Sequence, residues 1–330
     1  LTNEYSTFDV DEQLQLMKEY WHPTLVEKKS ISFLELIKDK INYDQYPFNT
    51  EFAKDFDYFS LENPYTHDDA KRVSEFFKNV LSDLLKIDQT KIIHIEHDWC
   101  HAAYAFYGSP IRDENTLVVT ADAWGDDLSG SISIFDKTKN QLKSVKEYNH
   151  KDFQLARIYR YTTLYLRMLA NEHEYKVMGL ASYYSGPKRE EVEKIFDSML
   201  ELNGIEFKFN NQIPDIFNYL ETHLSNFRFD HIASGLQKFT EKILVKWFSN
   251  LVEEYGSRLI TVIVIGHASS RTRDMNVVNH QLVNFKISVD RAQSVANELI
   301  DLSKKTKKPA LILGSHYIAK PIFDKFGFYN

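Results

Sequence analysis

Only one cysteine, Cys100, occurs in 330 residues. No internal disulfide can form, so the fold does not depend on an oxidising compartment. Glycine (11) and proline (8) are also scarce, which excludes collagen-like and low-complexity classes. No apolar run reaches the roughly eighteen residues that a membrane span requires. An excess of positive charge is missing too: 40 Lys and Arg stand against 47 Asp and Glu, a formal net charge of −7. That balance argues against nucleic acid as the main partner. Leu1-Thr2-Asn3-Glu4-Tyr5 shows no basic-then-apolar leader and no initiator Met. The expectation is a cytoplasmic protein, of which this chain is a piece.

What is present describes a folded chain. Hydrophobic residues make up 43%, enough for a sizeable core in one large or two ordinary domains. Aromatics reach 14% but are spread along the chain and do not form a base-stacking platform. The densest basic run, Lys304-Lys305-Thr306-Lys307-Lys308, reads as a solvated connector ahead of the apolar segment 309–313.

Periodicity gives a coarse order of elements. Short helices are expected near 10–20 and 31–41. From Asp68 onward, Val73, Phe76, Phe77, Val80, Leu81 and Leu84 follow helical spacing, which predicts an amphipathic helix opened by Asp68 and Asp69. Lys91-Ile92-Ile93-His94-Ile95 reads as a strand, 97–106 as a helix, and 116–122 as a buried-type strand. The alternation in 131–135, together with 142–148, predicts a hairpin. The stretch 155–255 reads as mostly helical, broken near Ser185-Gly186-Pro187 and near Asn203-Gly204. This order suits the α/β class.

The chemistry concentrates in Glu96-His97-Asp98-Trp99-Cys100-His101. On a helix, residues four apart lie one turn above each other. His97 and His101 can therefore present a ring nitrogen each to one metal ion. The strand at 116–122 ends on Asp122, followed by a turn through Gly125, which offers a carboxylate. Two imidazoles and a carboxylate suit Fe(II) or Zn(II). Two other readings stand beside this one. The histidines can be ordinary helix residues, one packed and one solvated; or Asp98 can serve as the base of a zinc hydrolase. Cys100 reads as a small buried hydrophobe.

The stretch from Glu96 to Pro110 resembles the EHHxxHAAxAFxxSP signature of the NodU/TobZ-type carbamoyltransferases, with Asp98 in place of its middle His. The strand closing on Asp122 resembles the next motif of that family, with Ala123 in place of its Gly. Glu172 to Tyr183 looks like its EYKVMGLAxY signature. Residues 157–166 are similar to the helix before it, and 233–241, with Gln237, to a later helix. The resemblance implies a partial actin-like ATPase fold, with mixed sheets and flanking helices, shared with threonylcarbamoyladenosine synthases. It implies a protein lacking the first strand and turn and the second, carbamoyl-phosphate-handling domain. It further implies an O-carbamoyltransferase that uses ATP and carbamoyl phosphate to make carbamoyl adenylate, then carbamoylates a hydroxyl of a small-molecule or sugar acceptor. In that scheme the ion is held by His97, His101 and Asp122, with Lys176 catalytic and Gly125 and Gly179 binding the cofactor. By itself, Lys176 reads equally as solvent-facing or paired with Glu172.

Residues 1–258 carry this resemblance and form one expected domain. Residues 259–330 form a second, divergent α/β segment. Its part at 259–300 resembles an OmpA-like peptidoglycan-binding domain, with Arg291 matching the peptide-binding Arg and Ser269 replacing the usual Asp. Residues 309–326 resemble the closing strand and helix of a folylpolyglutamate synthase. The competing functional reading is a non-catalytic metal, nucleotide or peptidoglycan-binding module. The incomplete chain is expected not to complete carbamoyl transfer alone.

Overall fold

The computed structural model describes residues 9–31, 36, 67–108, 116–255 and 261–264. The helix expected at 31–41, the segments 265–330 with Arg291, and the 258/259 domain boundary fall mostly or wholly outside the described residues. The described part is α/β. Its centre is a four-stranded sheet in the order β3-β2-β1-β6. Strand β1 (Thr116–Val119) pairs antiparallel with β2 (Leu128–Asp136), which returns as a hairpin into β3 (Gln141–Asn149); β6 (Thr261–Val264) lies parallel to β1.

All four residues of β1 are buried because both faces of the strand are covered. Val118 points to a small cluster with Ala102, Ala105 and Phe106 of the helix His97–Gly108 and with Phe135 and Leu142. Leu117 and Val119 point the other way, into the main core. A strand covered on both faces reads as a continuous apolar run, as Leu117-Val118-Val119 does. The small side chains of Ala102 and Ala105 let the helix settle against the sheet, and Phe106 stacks on Phe135 at 4.6 Å between ring centroids.

We number the helices α1 (Val10–Leu16), α2 (His22–Leu25), α3 (His67–Leu85), α4 (His97–Gly108), α5 (Leu155–Tyr165), α6 (Glu174–Leu180), α7 (Lys188–Asp197), α8 (Ile216–Leu224) and α9 (Phe229–Tyr255). Helix α1 opens with a capping box between Asp9 and Glu12, which satisfies two otherwise unpaired donors. The helices α5 to α9 build the main core with the sheet. An aromatic cluster joins the two halves: Phe153 stacks on Phe207 at 4.2 Å, and Tyr148, Phe207 and Trp247 meet edge to face. The Tyr148 hydroxyl donates to the Ile205 carbonyl and accepts from the Trp247 indole.

Two expectations are corrected. Residues 91–95 do not form a strand: a 3-10 turn spans Gln89–Lys91, and the extended residues after it pair with no strand among the described residues. Ile93 is 81% exposed. β-Branched residues favour extended backbone, but a strand exists only with a partner. The break read near Asn203-Gly204 is a hairpin instead, β4 (Leu200–Asn203) with β5 (Glu206–Phe209). Gly204, at φ 59°, supplies the left-handed first position of its two-residue turn. Helix α3 forms as expected, but Phe77, Leu81 and Leu85 on its apolar face stay exposed.

Helices α7 and α9 pack through Gly235. A Cβ there would lie 2.4 Å from Val192 Cγ1 and 2.5 Å from its Cβ. Val192 is fully buried and stiff at its first torsion, so it cannot swing away. Gly235→Ala is expected to cost about 1–3 kcal/mol by overpacking, more than the helix propensity gained. The melting temperature should fall by several degrees. A single variant as stable as the parent would contradict this packing.

Candidate metal centre

Helix α4 begins at His97 because two carboxylates satisfy its first free amides. Glu96 Oε2 accepts from Trp99 N at 2.9 Å, and Asp126 Oδ2 accepts from His97 N at 2.9 Å. Negative side chains at a helix N-terminus are also favoured by the dipole. Asp126 additionally contacts His94 Nε2 at 3.1 Å, so one carboxylate ties the turn after β1 to the start of α4. On the other side of the helix, Asp98 is buried and accepts from Thr120 Oγ1 at 2.6 Å. Thr120 Oγ1 in turn accepts from Ser131 N. Asp98 thus braces the helix against the sheet. It is committed there, which disfavours its use as a hydrolytic base. Cys100 is exposed, not buried, because the inward positions of α4 are 98, 102, 105 and 106.

Asp122 follows β1 in a turn held by Asp122 N donating to Ser129 O and Gly125 N donating to Leu128 O. Its Oδ1 accepts from Ala123 N, which leaves Oδ2 facing the helix. There it lies 2.8 Å from His97 Nε2 and 3.4 Å from His101 Nε2, and the two imidazole nitrogens are 2.9 Å apart. Donors bound at about 2.0–2.1 Å to one ion sit about 2.9 Å apart at right angles and about 3.4 Å apart at the tetrahedral angle. The donor set therefore fits a single Fe(II) or Zn(II) ion. The three side chains are between 31% and 46% exposed, which leaves the site open to a substrate.

Gly125 is packed against this centre. A Cβ on it would come within 2.7–2.9 Å of His97 Cδ2, Cβ and Cγ. The turn approaches the imidazole so closely that only hydrogen fits. The resemblance places Gly125 at a cofactor; the geometry packs it against His97, one of the three candidate donors. Lys176 lies on α6 with Nζ 2.9 Å from His173 Nε2, while His173 Nδ1 accepts from Leu169 N. It does not pair with Glu172. Gly179, on the same helix, has its carbonyl accepting from Ser182 Oγ. The turn and helix N-terminus thus bring together His97, His101, Asp122 and Gly125, whereas the contacts of Lys176 and Gly179 are local to α6. Asp126 escaped the sequence reading; its only signal was its place in Gly125-Asp126-Asp127.

The electrostatics favour a cation. The hydrogen bond that His97 donates to Asp122, then the charges of Asp122, Asp126 and Glu96, outweigh burial and raise the His97 pKa. Burial pushes Asp122 up, but the His97 bond, the Ala123 amide and both imidazoles hold it below the usual carboxylate value. Glu96 is raised, chiefly by burial. A metal ion needs the unprotonated His97 nitrogen, so protons compete with it. The apparent Zn(II) affinity should therefore climb as pH rises past the ordinary imidazole value of about 6.5 and through the raised His97 value. Competition titrations between about pH 5.5 and 8.5 would check this; an affinity flat across that range would contradict it.

The model of the "Carbamoyltransferase N-terminus" family matches residues 34–266, a range that contains the whole centre. An uncharacterized protein of Synechocystis is 30% identical over 195 residues, covering 53% of this chain and 30% of its own length. An uncharacterized protein of Methanocaldococcus jannaschii is 25% identical over 188 residues, 52% of this chain and 30% of its own. The nodulation protein NolNO of Sinorhizobium fredii is 26% identical over 163 residues, 48% of this chain and 23% of its own. The matched stretches thus span less than a third of these curated relatives. With the family match covering well over half of its length, the chain belongs to the carbamoyltransferase N-terminus family.

Proposed function

We propose that this chain takes part in O-carbamoyl transfer of the NodU/TobZ type, with Fe(II) or Zn(II) held by His97, His101 and Asp122. The donor would be carbamoyl adenylate, formed from ATP and carbamoyl phosphate, and the acceptor a hydroxyl of a small molecule or sugar. The observation that carries this reading is the convergence of three ligand atoms within 2.8–3.4 Å inside the family-matched region. When bound, the ion supplies Lewis acidity toward a carbonyl or phosphoryl oxygen. Two neutral imidazoles and one carboxylate leave net positive charge on such a centre, which suits an anionic donor. Asp126 and Glu96 fix the start of α4, and Gly125 fixes the rotamer of His97. Lys176 would support charge on the donor, and Gly179 would allow close approach of its backbone.

The test supplies synthetic carbamoyl adenylate to the Zn(II)- or Fe(II)-loaded chain with a panel of sugar and aminoglycoside acceptors. Carbamoylated product is expected and should vanish in His101→Ala. A chain that binds the metal stoichiometrically yet carbamoylates no acceptor above background would overturn the reading.

A further inference from the structure

Arg157 stands apart from other arginines of the structure. Arg72, Arg167, Arg189 and Arg228 each pair with a carboxylate: Asp69, Asp11, Glu190 and Asp230. Arg157, on α5, is half-buried and pairs with none among the described residues. Its guanidinium instead lies near two rings, 5.6 Å from the centroid of Trp124 and 5.7 Å from that of Tyr161. Its one hydrogen bond, from Nη2 to the Tyr161 hydroxyl, is long at 3.4 Å, and its Nε is buried with no acceptor. A partly desolvated cation without a counter-charge is costly, and ring faces offset only part of that cost.

The surroundings place this cation at the metal turn. Trp124 is two residues beyond Asp122, and its far side is fixed by stacking on His150 at 4.6 Å. His150 is buried and donates from Nδ1 to the Asp127 carbonyl. Burial, then the charge of Arg157, lowers its pKa against the opposing pull of Asp127, and an imidazole supplies no negative charge in either protonation state. Tyr161 is held below the usual phenol value, burial being outweighed by Arg157 and Arg160. Arg157 thus bears on both neighbours, as do the carboxylates of Asp127 on His150 and Asp215 on Tyr161.

We propose that Arg157, near the rings of Trp124 and Tyr161, is a subsite for phosphoryl oxygens at the turn that carries Asp122. A guanidinium presents a planar fork that matches two phosphate oxygens, and the two nearby rings limit the freedom of this one. The assignment rests on the proposed carbamoyl-adenylate chemistry only for the identity of its ligand, the phosphoryl group of the donor. The subsite itself stands on Arg157 and its two rings.

Calorimetric titration of the full chain with inorganic phosphate and with AMP, each with and without chelator, tests this. Both ligands are expected to bind, and Arg157→Gln should weaken both on the order of 10- to 100-fold, the worth of a charge-assisted contact. Tighter binding of AMP than of phosphate would identify a nucleotide as the source; equal affinity would identify the bare phosphoryl group. Metal content is measured in the same samples. Phosphate binding that persists without metal and falls in Arg157→Gln would support the subsite even if the metal reading failed. Unchanged affinity in Arg157→Gln, or no binding of either ligand to the parent chain, would overturn it. Where Arg157→Gln does not fold, Arg157→Lys carries the test: it keeps the charge but loses the fork. A loss of about tenfold supports the subsite, and none overturns it.

Discussion

Purified His101→Ala is expected to retain almost no Zn(II) or Fe(II), where the parent chain binds about one ion per molecule. His101 supplies one of three protein donors, and its Nε2 lies 2.9 Å from that of His97. The loss should exceed the roughly 10–100-fold that removing an outer hydrogen-bond partner costs. His97→Ala should behave alike. Asp122→Asn keeps the shape and one acceptor oxygen but removes the charge, so it should weaken the metal while hardly moving the melting temperature of the metal-free protein. Metal content measured by atomic emission, beside thermal melts, separates these effects. Full metal content in both histidine variants would end the assignment.

The Asp122–His97 contact also carries a pH dependence of metal-free stability. A raised His97 pKa contributes stability that is fully present below the ordinary imidazole value and lost as pH rises through the raised one. A lowered Asp122 pKa contributes stability present above the ordinary carboxylate value and lost as pH falls through the lowered one. The pair therefore helps most between those two limits. Both side chains are more than a third exposed, so solvent screens the contribution and keeps it small.

The convergence of His97, His101 and Asp122 was legible because each residue has a local signature. His97 and His101 differ by one helical turn, and Asp122 follows the apolar run of β1, which ends at Val119, short of the expected 122. The mixed α/β order was legible for the same reason, since β1 and the hairpin of β2 and β3 carry their periodicities openly. What escaped depends on contacts distant in sequence. Residues 91–95 have strand composition, but no residue among them reveals whether another strand lies alongside. The hairpin at 200–209 alternates Leu200, Leu202, Phe207 and Phe209 inward, yet each strand is only four residues long and was absorbed into a helical stretch. Asp126 reaches His97 N across 29 positions, and Arg157 reaches Trp124 across 33 residues of sequence, with only the folded sheet between them. Neither pairing has a sequence signature.

Gly125→Ala is the substitution that tests how tightly the turn and the helix are joined. Gly125 does not occupy the left-handed region; Gly204 is the glycine that does so among the described residues. Backbone preference is therefore not what alanine would violate. The obstacle is His97, whose Cβ would sit 2.8 Å and whose Cγ 2.9 Å from the new methyl group. Rotating the ring relieves Cδ2 but not Cβ, so either the turn lifts or α4 shifts. Lifting the turn strains the Gly125 N to Leu128 O bond and carries Asp122 away from the imidazoles. Shifting α4 disturbs the Asp126 bond to His97 N and the Asp98 bond to Thr120. The stability cost should be about 1–3 kcal/mol, as for overpacked sites. The metal affinity should fall at least about 10–100-fold, because a ligand is displaced and not merely unsupported. Metal titration of the folded variant, read beside its melting temperature, decides the matter: wild-type affinity in Gly125→Ala would mean that the turn yields freely and does not position His97.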